Sequence, residues 1–252
     1  MTTVNILAYA VSSRGLQADV DEACRRFDGE GEVRPWSVAC ANPHSLVVAA
    51  TDPGFAGALR NTDILLPDGA GIVLAARILG LPATHRVAGM DFFLELTRRA
   101  RERGGLRYFF LGSSEAVLAR VTARLAHEFP DIVVCGTYSP PFKAAFSDAE
   151  NADMIAAVNA AKPDVLWVGM TAPKQETWIE THRGSLHVPV MGAIGAVFDF
   201  YAGTRKRAPQ WVCDLGLEWL PRLLREPGRL WRRNFISTPI FLARVLKQRF
   251  GR

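Results

Sequence analysis

Four short segments carry residue types and spacings that suit chemistry. Pro67-Asp68-Gly69-Ala70-Gly71 puts a carboxylate after the apolar run Ile64–Leu66 and before two glycines. Glycine lets the backbone turn tightly and lets a ligand come close, so Asp68 suits a general base at the end of a strand. The same residues also make an ordinary Asp-Gly turn. Ala172-Pro173-Lys174-Gln175-Glu176 follows the apolar run Val165–Val168. A Gln-Glu pair there can read a sugar or a base, or simply open a helix with proline in its first turn. Arg86-Val-Ala-Gly89-Met-Asp91 sets an arginine ahead of a helix start. That suits a phosphate, and equally an ordinary surface arginine. Arg222, Arg225, Arg229 and Arg232 recur at spacings of 3, 4 and 3, with Arg233 adjoining. An unbroken helix would put the four on one face. Only Glu218 and Glu226 offset them, so contact with phosphate or anionic lipid is expected.

Other patterns are set aside. Asp19-Val-Asp21 has the form of a metal-holding DxD, but it falls within the amphipathic run Leu16–Phe27 rather than at a strand end. The five histidines show no HExxH spacing, and the four cysteines form no CxxC pair. No metal site and no cofactor are expected, and activity should persist in EDTA. Gly112 stands alone, and Gly69-Ala-Gly71 has Leu74 where a dinucleotide fingerprint needs its third glycine. There is no Walker A pattern and no GxSxG elbow.

The elements that must hold these segments alternate. Strand signals fall at Val33–Cys40, Ile64–Leu66, Leu106–Gly112, Ile132–Cys135, Val165–Val168 and Val188–Met191. Helical patterns lie at about 15–27, 43–60, 70–79, 90–103, 114–128, 149–161 and 173–183. This alternation predicts a Rossmann-like α/β parallel sheet with helices on both faces. The loops at the carboxyl ends of its strands form the ligand crevice. With 252 residues the chain is long enough for one large domain or two small ones. From about Ala208 arginines alternate with aromatics and prolines, which reads as short helices. Leu242, Leu246 and Phe250 then recur at every fourth position beside Val245, with Arg244, Lys247 and Gln248 on the other side, a basic amphipathic helix. We divide the chain into a core, residues 1–204, and a basic helical appendage, residues 205–252.

The net charge of +5 is unevenly spread. Residues 205–252 hold 12 Lys and Arg against 3 Asp and Glu, a balance of +9, which leaves −4 on residues 1–204. The appendage should meet something anionic. Met1–Val11 has no basic residue ahead of its apolar stretch and does not read as a secretory signal. The uncharged run Val188–Phe198 is far shorter than the ~20 residues of a membrane span. Scattered single cysteines suit a reducing compartment. Two function classes follow: an enzyme working at an anionic surface, or a nucleic-acid-binding α/β protein with a basic arm. A pure binder has no need of Asp68 in a glycine turn at a strand end.

The ordered set of motifs resembles the WecG/TagA/CpsF glycosyltransferase family. It comprises Asn42-Pro43, Leu66-Pro-Asp-Gly-Ala-Gly71, Arg86-Val-Ala-Gly89, Gly169-Met-Thr-Ala-Pro-Lys-Gln-Glu176 and Gly195-Ala-Val-Phe-Asp-Phe200. Lys206-Arg-Ala-Pro209, Gly216-Leu-Glu-Trp219, Arg222-Leu223 and Glu226-Pro227 complete it, over about residues 33–242. The resemblance implies inverting transfer of an N-acetylmannosamine-type sugar or related hexose. The donor would be a UDP-sugar and the acceptor an undecaprenyl-diphosphate-linked sugar, in bacterial surface-polysaccharide synthesis. It implies a cytoplasmic protein, peripheral on the inner face of the membrane, with an anionic lipid surface and no nucleic acid among its partners; homo-oligomer formation is left open. It places Asp68 as the catalytic base. Asn42, Cys40, Arg86, Gly169, Gln175 and Asp199 become substrate-binding positions, and Arg222, Arg229 and Arg232 meet diphosphate or lipid. Cys40 departs from the pattern, because the family commonly has threonine there. The segment before Val33 matches weakly, and nothing is carried over to it.

Overall fold

The computed structural model describes residues 2–27, 35–82, 84–206, 212, 219, 223, 228 and 231–251. Arg222, Arg225 and Arg229 lie outside the described residues. An eight-stranded sheet carries helices on both faces. The chain runs β1 (Thr3–Ile6), β2 (Tyr9–Ser12), α1 (Leu16–Cys24), β3 (Trp36–Ala41), α2 (Pro43–Ala49), α3 (Pro53–Asn61), β4 (Ile64–Pro67), α4 (Ala70–Ile78) and α5 (Gly89–Glu102). It continues through β5 (Arg107–Gly112), α6 (Glu115–Glu128), β6 (Val133–Tyr138), α7 (Asp148–Ala161), β7 (Val165–Gly169), α8 (Lys174–His182), β8 (Val190–Ala193) and α9 (Val197–Tyr201). A π-helical stretch, Arg232–Ser237, leads into the last helix, α10 (Thr238–Phe250). The strand order is β1-β2-β4-β3-β8-β7-β5-β6, parallel throughout except for the β1–β2 hairpin.

Side chains alternate between the two faces, as strand geometry requires. Ala39, Phe109, Leu111, Leu166 and Val168 join α2, α3, α4, α7 and α8 in one core. Trp36, Val38, Tyr108, Phe110, Val165 and Trp167 join α1, α5, α6 and α9 in the other. The second core is aromatic: the Phe93 ring lies 5.3 Å from Trp167 and 5.1 Å from Tyr201, both edge-on.

Three local expectations change. The expected single helix over 43–60 is two, because Asp52 accepts the Phe55 N–H and starts α3 with Pro53 in its first turn. The β1–β2 hairpin gives little sequence signal, because its turn residues Leu7 and Ala8 hold φ of 52° and 67° without the usual Asn or Gly. Their amides are satisfied by side chains: Leu7 N–H donates to Gln248 Oε1 at 2.8 Å and Ala8 N–H to Asn5 Oδ1 at 3.1 Å.

The third change concerns α10. Its buried row is Phe241 and Val245, both fully buried in the core shared with β1, β2, α2 and α4. The expected apolar row points elsewhere: Leu242 is half-buried, and Leu246 and Phe250 are 45% and 75% exposed. Gln248, expected on the solvent side, clamps the hairpin. The helix therefore carries two apolar rows, one packed inward and one facing out.

Candidate active site

The carboxyl ends of β3, β4, β5, β6, β7 and β8 open onto one cleft of about 1610 Å³. Ligand pockets for a single small molecule run ~300–1,000 Å³, so this cleft has room for two substrates. Asp68 lies on its wall just past β4, half-buried. Its amide donates to Ala41 O on β3 at 2.8 Å, which ties the turn to the neighbouring strand. Gly69 then takes φ 94°, a left-handed conformation that disfavours side chains. Gly71 is required for space, since a Cβ there would sit 2.4 Å from Pro43 Cγ. The two glycines therefore shape the turn and let α4 pack against α2.

Asn42 and Cys40 come from the end of β3. Asn42 lines the cleft, but its Oδ1 accepts the Ser45 N–H at 3.0 Å and Ser45 Oγ accepts the Asn42 N–H at 2.9 Å. This capping box starts α2. Cys40 lines the same cleft. Burial pushes its thiol well above the ordinary range, and the charges of Asp68 and Glu176 push the same way. Cys40 is therefore a protonated thiol rather than a nucleophile.

Gln175 and Glu176 occupy the first turn of α8, 4% and 5% exposed. Gln175 Nε2 donates to Glu176 Oε1 at 2.9 Å. Burial lifts the Glu176 carboxyl to about 7, against the lowering effect of Gln175 and of its own backbone N–H. A carboxylate at a helix N-terminus gains only ~0.3–1 kcal/mol from the dipole, while this displacement corresponds to roughly 3 kcal/mol. Desolvation wins.

Gly169 lines the cleft, but packing accounts for its lack of a side chain: a Cβ would lie 2.8 Å from the Phe198 ring. Gly112 is likewise pressed against the Gly169 backbone. Beside these glycines, Ser113 and Thr171 hold φ of 60° and 71° on the cleft wall. Left-handed backbone at non-glycine residues gathers at functional sites.

Arginines line the cleft as well. Arg86 lines the cleft with its Nη1 3.9 Å from Asp91 Oδ2, and Arg205 Nε lies 3.3 Å from Asp199 Oδ2. The appendage reaches the cleft through Arg233, Asn234, Phe235 and Thr238. His44 on α2 bonds Ser237 Oγ through Nδ1 at 2.8 Å, which anchors this stretch. Burial, then Arg233 and Arg232, lower the His44 pKa and favour the neutral ring.

The structure thus gathers Asp68, Asn42, Cys40, Arg86, Gly169, Gln175 and Asp199 around one cleft. Arg232 is exposed and is not among the cleft-lining residues; its neighbour Arg233 is. Glu176 and Asn234 were not singled out as site residues. Glu176 was visible as half of a Gln-Glu pair, but its burial was not. Asp19 is fully buried and bonds Ser12 Oγ at 2.7 Å, a structural role that fits setting the DxD aside. Among the described residues, no group of three or more His, Cys, Asp or Glu side chains is placed to hold a metal ion. Among the same residues, no helix is long and apolar enough to cross a membrane.

The model of the family described as Glycosyl transferase WecG/TagA/CpsF matches residues 4–252. The match includes the segment before Val33, where the motifs alone carried little. A Bacillus spizizenii protein is 35% identical over 210 residues, covering 83% of this chain and 78% of the relative. Bacillus subtilis and Staphylococcus aureus relatives are 31% and 29% identical, over 84% and 83% of this chain and 79% of each relative. All three are named N-acetylglucosaminyldiphosphoundecaprenol N-acetyl-β-D-mannosaminyltransferase. With a model match across nearly the whole chain and the motif residues assembled in one cleft, the chain belongs to the WecG/TagA/CpsF family of glycosyltransferases.

Proposed function

We propose that the protein moves an N-acetylmannosamine-type sugar from a UDP-sugar to a sugar on undecaprenyl diphosphate, with inversion at the transferred carbon. The observation that carries this reading is Asp68, held on a glycine turn at a strand end beside a cleft large enough for donor and acceptor. The names of the three relatives support the transferred sugar and the acceptor.

Asp68 takes the proton of the acceptor hydroxyl as that oxygen attacks the anomeric carbon. The bond from that carbon to the UDP oxygen breaks, and UDP leaves with the electron pair. A positioned base contributes ~10²–10⁴-fold, and cations aimed at the departing diphosphate add several kcal/mol in a closed site. Arg86 and Arg233 stand on the cleft for that task, with Asn42, Cys40, Gln175 and Asp199 lining the space for the sugars. In this reading Arg222, Arg229 and Arg232 on the appendage meet the lipid diphosphate or anionic headgroups. The outward row of α10, Leu246 and Phe250, together with exposed Trp231, Phe235, Ile236 and Ile240, suits the interfacial layer of an anionic inner leaflet. Lys247 and Arg249 on the same helix add charge, at ~1 kcal/mol per basic residue near such a surface.

The test is a donor screen that scores UDP release with a short-chain lipid-diphosphate N-acetylglucosamine as acceptor. Release with UDP-N-acetylmannosamine supports the reading, and no release with any UDP-sugar overturns it. Binding to anionic liposomes that weakens toward 1 M salt supports the membrane assignment, because the screening length there is ~3 Å. A protein that ignores such liposomes but shifts single-stranded DNA is instead a nucleic-acid binder.

A further inference from the structure

Large apolar side chains exposed one at a time on a protein surface are ordinary. Here they are gathered. Ten are exposed among the described residues: five on the appendage beyond the cleft, four on the cleft, and Val133 alone elsewhere. Val133 opens β6 and so lies at the opposite end of the sheet from the cleft. The four on the cleft come from separate parts of the chain. Trp219 and Phe235 belong to the appendage, Leu74 to α4, and Phe142 to the loop between β6 and α7. Leu74 follows β4 and Phe142 follows β6, five steps away along the sheet, so the two core residues bracket the cleft.

Phe142 is wholly exposed, yet its loop is braced. Pro140 and Pro141 restrict the backbone just before it. At the root of the loop Ser139 Oγ donates to Ser113 O at 2.8 Å. Lys174 Nζ donates to Lys143 O and lies 5.9 Å from the Phe142 ring and 4.9 Å from the Phe146 ring. Charge accompanies the apolar rim. Arg77 is exposed one turn after Leu74 on α4, and Arg233 lines the cleft two residues before Phe235. Apolar tips beside arginines are what a surface resting in the headgroup layer of an anionic bilayer presents.

We propose that the rim of the cleft is itself a membrane-contact surface, with Leu74 and Phe142 of the core dipping into an anionic bilayer beside Trp219 and Phe235. The inference rests on the transferase reading, and it adds a point of attachment on the α/β core to the one on the appendage. The chemistry of the acceptor selects the bilayer as the occupant. The relatives are named for a sugar diphosphate on undecaprenol. A polyprenol chain stays among acyl chains, because exposing it to water is unfavourable, so only its diphosphate and sugar stand clear of the leaflet. The sugar hydroxyl comes within reach of Asp68 when the mouth of the cleft lies against the headgroups. A single amphipathic helix lets the molecule roll about the helix axis. Contacts on both sides of the mouth hold it toward the bilayer.

The test compares two acceptors, with the full chain and UDP-N-acetylmannosamine as donor. One is undecaprenyl-diphosphate N-acetylglucosamine in phosphatidylglycerol vesicles, and the other a short-chain, water-soluble analogue without vesicles. Leu74→Ser combined with Phe142→Ser should melt like wild type and keep transfer to the soluble acceptor within about twofold, but lose transfer on vesicles by about 10-fold or more, with vesicle binding weakened to match. Phe142→Ser alone should lose about threefold on vesicles, and it decides the matter if the double variant melts early. Phe142→Trp should keep the wild-type rate there, since tryptophan suits the interface, and Val133→Ser should change neither assay. Wild-type transfer on vesicles by the double variant would overturn the inference. Equal losses with both acceptors would do the same, because the rim would then touch the sugar or diphosphate rather than the bilayer. A dimer in solution that Phe142→Ser dissolves, with vesicle binding unchanged, would assign the rim to a second copy of the chain and also overturn it. Wild type that uses neither acceptor takes down the transferase reading and this inference together; wild type active on both, with silent variants, takes down only the inference.

Discussion

The β4–α4 and β7–α8 turns do the same architectural job with different burial. Each carries the chain from a buried parallel strand into a helix at the cleft, and each delivers one carboxyl there. Cys40 on the same cleft feels both. The β4–α4 turn is made of Gly69 and Gly71 and leaves Asp68 half-buried. The β7–α8 turn buries Glu176 to 5% exposure and lifts its carboxyl to about 7. Burial separates the two carboxyls of one cleft. At Glu176 desolvation outweighs the helix dipole and favours the protonated acid, whereas Asp68 keeps more of its exposure.

The sharpest way to break this contrast is to remove Asp68. Asp68→Ala should melt close to wild type and lose transfer by ~10²-fold or more, about 2.7 kcal/mol of barrier. A folded Asp68→Ala protein that transfers at the wild-type rate would remove it as the base.

The turn that carries Asp68 can be strained without touching the carboxylate. Gly71→Ala puts a methyl 2.4 Å from Pro43 Cγ. Overpacking of this kind costs ~1–3 kcal/mol, so denaturant unfolding should show that loss. Transfer should fall by roughly 10-fold as the α4 start moves away from α2. An unperturbed midpoint would mean that the turn has slack.

The β7–α8 side is tested through stability and pH. The folded Glu176 carboxyl titrates near 7 and the unfolded one near 4.5, so the folded state holds the extra proton between them. Wild-type stability should therefore decline as pH rises from about 4.5 through 7. Glu176→Gln removes that slope, so its melting temperature should gain on wild type between pH 5 and pH 8. The full displacement corresponds to at most roughly 3 kcal/mol, or several degrees for a chain of this size. Parallel melting curves across that range would show that the buried carboxyl is not uncharged.

The smallest expected change comes from Cys40, which feels both carboxyls. Cys40→Thr puts a hydroxyl in place of the thiol. Because the Cys40 thiol is held neutral, the exchange swaps one uncharged group for another, and kcat should stay within about threefold. A change of 10-fold or more would mean that the hydroxyl contacts substrate directly.

The layered α/β architecture was legible in the chain, because alternating apolar runs and amphipathic repeats leave few other ways to bury both faces of each strand. The sequence also marked Asp68, Asn42, Arg86 and Gln175, since glycine turns, caps and helix starts are local and leave their residue types in the chain. Tertiary structure alone decided how those residues are used. Glu176 looks like any first-turn acid until the fold closes over it, because desolvation depends on atoms remote in sequence. In α10 the sequence offers Val245 beside the row Leu242, Leu246 and Phe250, yet it is Phe241 and Val245 that are fully buried, with Leu242 only partly so. The β1–β2 hairpin depends on the same contact, since Gln248, 241 residues from Leu7, completes a turn that Leu7 and Ala8 would not announce. Short-range geometry is written in neighbouring residues, whereas burial, partner choice and protonation arise only when distant segments exclude water together.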